Sequence, residues 1–438
     1  MKTGKYLVCL VFLLAPGVGP AAPAPARPNI VFIVVDDLGY HDLGCYGSTR
    51  HQTPHIDRLA QEGIRFTDNH TNGPVCSPTR AAILTGQYQQ RSGIEAAIGF
   101  TKGIGMPLSQ TTIAELLRPT GYRCGVFGKW HVGHVSLFGP NDQGFDQSVC
   151  SNNSPDYHSH ISRDGNLDWF RDQQVDQEPG YLTDLVTKHT VKFIRDNRDR
   201  PFFTFVSHLA VHFPYQGPDD PAHRTPGKKW DDNKLGPLPR SEFPRVYKDM
   251  LEAVDASVGE VVATLEQLGL RERTFIFVTS DNGAYAWVGS NQPLRGEKTD
   301  LYEGGHRVPA IANWPGRIPS GVVSPATALT MDLAPTFLAL TGTPPPPAGH
   351  FDGTDISGVL LRGASLPART LFWRFRNASA VRRGPWKLVL QDGKTGLFNL
   401  TDDIGEEKNM AGEQPAMVQS MRTAWAAWER DVETPRRP

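Results

Sequence analysis

The sequence predicts an α/β fold, a large, mixed and mostly parallel sheet sandwiched by helices, followed by a smaller C-terminal α+β unit. Three observations carry this. The runs Asn29–Val35 (NIVFIVV), Pro201–Ser207 (PFFTFVS) and Thr274–Thr279 (TFIFVT) are short and apolar nearly throughout, as strands buried on both faces are. Between the last two, Val246, Met250, Val254, Val258, Val261, Val262 and Leu265 follow helical spacing, and Gly269 fits the stop. After four prolines at 344–347, strand-like pieces at Ala380–Arg383, Trp386–Leu390 and Gly396–Leu400 precede a helical stretch near Gln414–Val432.

The expected organisation is therefore an export signal at 1–26, the main α/β unit at 27–343, and a C-terminal unit at 344–438 with a small antiparallel sheet and a terminal helix. The signal rests on Lys2 and Lys5, the apolar run Tyr6–Leu14, and a Pro-rich tract ending near Ala26. That run is too short for the ~30 Å of a bilayer core, so no stable membrane anchor is expected. The mature chain is expected to be secreted, periplasmic or lumenal. Lys and Arg total 45 against 46 Asp and Glu, with no block of like charge, so no nucleic-acid partner is expected. Loss of Cys9 with the signal leaves Cys45, Cys76, Cys124 and Cys150, enough for at most two disulfides. Sequons begin at Asn69, Asn152, Asn377 and Asn399. Segments Phe138–Gly180 and Phe213–Pro244 lack periodicity and read as long surface loops.

Chemistry concentrates in Pro74–Gly86 (PVCSPTRAAILTG). Ser77 is a good N-cap and Pro78 a good first helical residue, which predicts a helix starting directly after Cys76. Free N–H groups at that end, with Arg80 in the first turn, make an anion-binding corner. The strand at 29–35 ends in Asp36-Asp37, and the one at 274–279 ends, after Ser280, in Asp281-Asn282. In open α/β sheets ligands bind at the carboxyl ends of strands. All four side chains are oxygen donors, which suits Ca²⁺, with Mg²⁺ as the alternative, and argues against zinc.

Cys76-Ser-Pro-Thr-Arg80, continued by Leu84-Thr-Gly86, resembles the Cys-x-Pro-x-Arg signature of the type I, arylsulfatase-like sulfatases of the alkaline-phosphatase-like superfamily. The resemblance implies that a maturation enzyme oxidises Cys76 to Cα-formylglycine, whose hydrate attacks sulfur and then expels sulfate by re-forming the aldehyde. It implies that Asp36, Asp37, Asp281, Asn282 and the modified residue 76 hold the metal. Gly128-Lys129-Trp130-His131 is similar to the family's Gly-Lys-x-His segment, which makes Lys129 a sulfate clamp and His131 the base of the second step. His212 matches the histidine beside the leaving oxygen, with His208 as competitor. Lys298 matches a second sulfate-binding lysine, although the family usually has a smaller residue where Glu297 stands. Arg80, Lys129 and Lys298 would together hold the non-bridging oxygens. Ser154 falls near a position that touches sulfate.

The expected substrate is a sulfated carbohydrate, with Asp156, Tyr157, His158, His160, Trp169 and Trp230 in the long loops either as sugar contacts or, equally, as loop packing. A phosphonate monoester or phosphodiester hydrolase of the same superfamily is the alternative, and an inactive carbohydrate-binding homologue the alternative of another class.

Overall fold

The computed structural model describes residues 1, 4, 27–99, 103–231 and 235–433; apart from residues 1 and 4, the expected export signal lies outside them. All seven residues of β1 (Asn29–Val35) are buried. Its side chains alternate between two faces. Val31, Ile33 and Val35 enter one apolar core with Val186, Val246 and Met250, whereas Ile30, Phe32 and Val34 enter a second with Ala81, Leu84 and Phe337. A strand apolar at every position needs cover on both sides, and helices supply it. On the second face lie α1 (Cys76–Thr85) and, later in the chain, α4 (Leu333–Thr341). The first face carries α2 (Leu182–Asp196) and α3 (Phe243–Gln267), the latter enclosing the predicted helix.

The central strands after β1 are β2 (Ile64–Phe66), β3 (Arg123–Lys129), β4 (Gln147–Ser151), β5 (Phe202–His208), β6 (Thr274–Ser280), β7 (Ala310–Asn313) and β8 (Val322–Ser324). They run in the order β8-β2-β7-β6-β1-β5-β3-β4, and a short ribbon, Phe170–Arg171 with Gln174–Val175, completes the ten-stranded sheet. β6, β1, β5, β3 and β4 are mutually parallel, and β7 is antiparallel to its neighbours. Register aligns the carboxyl ends: Val35 faces His208 on one side and Ser280 on the other, and Gly128 faces Ser207. The residues that follow these strands therefore meet along one edge of the sheet.

One expectation needs correction. Phe138–Gly180 is no continuous loop, since it holds β4 and the ribbon; the β4 sequence QSVCS has one β-branched residue and takes its strand form from pairing with β3. Within it, Tyr157 and Trp169 are fully buried, and Asp156 accepts hydrogen bonds from the backbone of His158, Ser159, His223 and Arg224. These side chains organise the loop rather than face solvent.

The C-terminal sheet has four antiparallel strands, β9 (Thr370–Phe375), β10 (Ala378–Arg383), β11 (Trp386–Gln391) and β12 (Lys394–Asn399), with α5 (Pro415–Glu433) after them. β9 lies upstream of the three strand-like pieces that the sequence predicts. Trp373 shares a core with Val75, Ala82 and Leu301, and its indole N–H donates to the Thr71 carbonyl at 2.7 Å. The sheet thus packs behind the Cys76 segment, whereas Ile356, Val359 and Leu360 belong to the core of the main sheet. All four described cysteines are free. Asn69 is buried against Thr279, so its sequon is closed to a glycan in the folded chain. No described helix is long and apolar enough to cross a membrane.

Candidate active site

Cys76 opens α1 and is 1% exposed. The predicted cap shifts: Val75 is the N-cap, Cys76 is already helical, and the Ser77 hydroxyl instead accepts from the Ile98 amide at 2.9 Å. Pro78 still sits within the first turn, where its missing N–H costs nothing. Around the Cys76 sulfur lie Asp36 Oδ1 and Lys129 Nζ, each at 3.6 Å, and Lys298 Nζ at 3.9 Å. Burial, then the Asp36 charge, pushes the thiol up to about 12, so an unmodified Cys76 is protonated at neutral pH.

Three carboxylates and three cations share this buried space. Lys129 Nζ lies 2.6 Å from Asp36 Oδ2, and Lys298 Nζ 2.6 Å from Asp37 Oδ1. Arg80 is fully buried and all five of its donors are engaged. Nε and Nη2 reach Asp281 Oδ2 at 2.9 Å, Nη2 also reaches Asp36 at 3.2 Å, and Nη1 donates to the Lys129 carbonyl and the Ser207 hydroxyl. Arg80 thus holds two carboxylates, Asp281 and Asp36. Ser207, which is not among the expected site residues, completes that hold by donating to the Lys129 carbonyl at 2.6 Å. Its signal was a lone hydroxyl at the end of an apolar strand.

Burial raises the Asp36 carboxyl, but Lys129, His212, Arg80 and Lys298 outweigh it and leave the group well below the usual range. Asp37 is held up at about 7 by burial, with Lys298 opposing and Asp36 and Asp281 adding repulsion. Asp281 is also raised, by burial and Asp36. Carboxylates pressed together in this way favour a shared cation. The Asn282 amide donates to Asp37 Oδ1 at 2.7 Å and to the Gly283 carbonyl, while its own Oδ1 is buried with no donor. An orphaned amide oxygen beside three carboxylates fits a hard, oxygen-seeking cation. Asp36, Asp37, Cys76 and His212 each offer a ligand atom, all within 4.8 Å of one another.

Backbone geometry explains part of the spacing. Asp37 and His131 adopt positive φ of 63° and 58°, conformations uncommon for such residues and found where a site dictates them. Gly128 has φ 109°, and a Cβ there would lie 1.9 Å from the Ser207 carbonyl oxygen. Only glycine lets β3 approach β5 and deliver Lys129 to Asp36.

The histidines differ in their contacts. His131 Nε2 lies 2.9 Å from the Ile98 carbonyl, so Nε2 carries the proton, and Nδ1 has no partner. His212 Nδ1 lies 2.5 Å from the Phe213 carbonyl and 3.3 Å from the Ser154 hydroxyl, which turns Nε2 toward Asp37 at 3.9 Å. Burial, with Lys298 and Lys129 for His212 and with Lys129 and Arg80 for His131, holds both well below the usual imidazole range. His208 faces elsewhere, its Nε2 3.2 Å from the Ser257 hydroxyl between α2 and α3.

The family profile described as Sulfatase matches residues 28–343. N-acetylgalactosamine-6-sulfatase of Rattus norvegicus is 34% identical over 399 residues, 84% of this chain and 72% of the relative. Arylsulfatase A of Homo sapiens is 35% identical over 476 residues, covering 94% and 89%. Among solved structures, Ps i-CgsB in complex with k-i-k-neocarrahexaose superposes with a TM-score of 0.84 at 29% identity, covering 93% of this chain and 94% of that one. With the matched profile spanning the sheet and every element of the site just described, the chain belongs to the sulfatase family of sulfuric ester hydrolases.

Proposed function

We propose that the protein is an exported sulfatase that removes sulfate from carbohydrate monoesters, with Cys76 converted to formylglycine and Ca²⁺, or Mg²⁺, held by Asp36, Asp37, Asp281 and Asn282. The observation that carries this reading is the convergence of three buried carboxylates and three buried cations on the Cys76 side chain. Formally their charges cancel, and a divalent cation entering with a singly charged sulfate monoester buries less net charge than the cation alone would, with the raised carboxyls of Asp37 and Asp281 drawn into their ionised form beside it. Relatives support the substrate class, since one is named N-acetylgalactosamine-6-sulfatase and one is solved in complex with k-i-k-neocarrahexaose.

The formylglycine hydrate would supply a nucleophilic hydroxyl and a second hydroxyl for regeneration, and the cation would lower the charge cost of the attack. Around them, Lys129 and Lys298 neutralise the non-bridging oxygens. Arg80 and Ser207 act one step removed, fixing Asp36 and Asp281. His131 presents an unprotonated Nδ1 as a base, and His212 presents Nε2 toward the leaving oxygen. Because Cys76 is enclosed in the fold, the maturation enzyme must act before folding is complete.

Peptide mass analysis of active enzyme should show formylglycine at position 76, and a panel of sulfated mono- and oligosaccharides should yield a turned-over substrate. Fully active protein with an intact thiol would refute the reading. Faster turnover of matched phosphate or phosphonate esters would move it to the alternative chemistry.

A further inference from the structure

We infer that Trp287, backed by Tyr285 and fixed by Glu297, is a stacking platform for the sugar ring next to the one that bears the sulfate. The inference rests on the proposed function and names how that substrate is recognised.

Trp287 is 42% exposed, and no other aromatic side chain stands among the exposed large hydrophobics of the described residues. It lies five positions after Asn282, on the segment that leaves the metal-ligand pair. The Tyr285 ring is 5.4 Å from Lys298 Nζ, which is itself 3.9 Å from the Cys76 sulfur. Trp287 comes next outward, 6.0 Å from Tyr285 at 31°. It is held from below by Tyr215, edge-on at 5.4 Å, and by Phe243 at 6.0 Å. Three rings therefore set its orientation before any ligand arrives, so stacking costs little side-chain entropy.

Glu297 gives the segment its second anchor. Its Oε2 accepts the Ala286 amide at 2.7 Å, tying the backbone between the two aromatics to the residue beside Lys298. The large side chain at 297, where the family usually has a smaller one, thus has a local use. A rigid, half-exposed indole one ring away from an anion-binding ammonium suits a pyranose whose C–H face stacks while its neighbour's sulfate enters the site.

The test compares N-acetylgalactosamine 6-sulfate with a chondroitin 6-sulfate tetrasaccharide, and a carrageenan monosaccharide sulfate with neocarrahexaose sulfate. In Trp287→Ala the ratio of kcat/KM for oligosaccharide over monosaccharide should fall ~10-fold, and Trp287→Phe should keep most of it. Tetrasaccharide and hexasaccharide binding to Cys76→Ala, measured by calorimetry with and without Trp287→Ala, gives a readout independent of turnover. An unchanged ratio and unchanged binding would overturn the platform. Wild-type protein that cleaves no sulfate ester while binding stays Trp287-dependent would instead overturn the proposed activity and leave the platform standing.

Discussion

Arg80 grips Asp281 through one carboxylate oxygen, with Nε and Nη2 both 2.9 Å from Oδ2. The second oxygen, Oδ1, is left to accept the Asp37 amide at 3.3 Å. The guanidinium fork is what permits this, because one planar group reaches Asp281, Asp36, Ser207 and the Lys129 carbonyl at once. Arg80→Lys keeps the charge but has three donors for five positions. Turnover should fall on the order of 10²-fold or more, with a higher Ca²⁺ concentration needed for half-maximal activity. A lysine variant with near wild-type kcat would show that charge alone is required.

The Asn282–Asp37 contact leads to a prediction about metal. Asn282→Leu removes the orphaned oxygen and the donor to Asp37, so Ca²⁺ should no longer raise the melting temperature. Asn282→Asp places a fourth carboxylate against Asp37, so the chelated form should be less stable and the gain on adding Ca²⁺ larger than in wild type. For comparison, a ligand at 100 times its Kd stabilises by about 2.7 kcal/mol. Chelation should lower wild-type activity and Ca²⁺ restore it, and Asp281→Ala or Asp37→Ala should abolish it without unfolding the chain. Stoichiometric zinc in active enzyme, with neither Ca²⁺ nor Mg²⁺, contradicts the oxygen-donor reading.

A third prediction concerns the C-terminal sheet. Lys387 of β11 is fully buried, with Nζ 2.9 Å from Glu303 and 3.0 Å from Glu406. Burial raises Glu303, but Lys387, His70, Arg382 and Arg307 carry it well below the usual range. Burial also lifts Glu406, to about 7, with Lys387 opposing. Lys387→Met leaves two carboxylates buried without that cation, at a cost of about 3–5 kcal/mol near neutral pH. Glu406 should then titrate further above its unfolded value of about 4.3, while Glu303, still facing Arg307 and Arg382, loses part of what holds it low. A raised group such as Glu406 costs stability as pH rises from its unfolded value through its folded one, and a depressed group such as Glu303 contributes stability only above its unfolded value, part of which the variant forfeits. The deficit of the variant should therefore shrink toward pH 4.5 and be widest at pH 8. Thermal melts showing a deficit that does not vary with pH would rule out the ion-pair account.

The sequence disclosed strands wherever burial on both faces demanded unbroken apolar runs. Asn29–Val35 matches β1, Thr274–Thr279 falls one residue short of β6, and Pro201–Ser207 is displaced one residue from β5. β4 was hidden because QSVCS carries no such run, and its identity depends on a partner 20 or so residues away. β9 was legible in principle, since TLFWRF alternates buried and half-buried positions. At the site, residue types and spacing marked which side chains converge. They did not show that Arg80 spends every donor on protein groups, which depends on distances between four strand ends.

The final prediction separates His212, His131 and His208. Among these, His208 hydrogen-bonds Ser257 away from the cluster, so His208→Ala should lower stability and leave the dependence on leaving group unchanged. With Nδ1 bonded to the Phe213 carbonyl, His212 has only Nε2 to offer. Burial, then Lys298 and Lys129, disfavours its protonation, and a sulfate ester bound between those lysines would offset their part, letting Nε2 carry a proton to the departing oxygen. An aryl oxide leaves with little help, whereas a sugar alkoxide does not. His212→Ala should thus slow sugar sulfates far more than an activated aryl sulfate. His131 has its free nitrogen at Nδ1, fixed by the Ile98 carbonyl on the other side of the ring. Loss of a base that serves release of sulfate should leave the first turnover fast and later ones slow. His131→Ala should therefore show a burst of alcohol that outruns sulfate, which His212→Ala should lack. Equal losses on alkyl and aryl sulfates in His212→Ala, with no burst in His131→Ala, would exchange or merge the two roles.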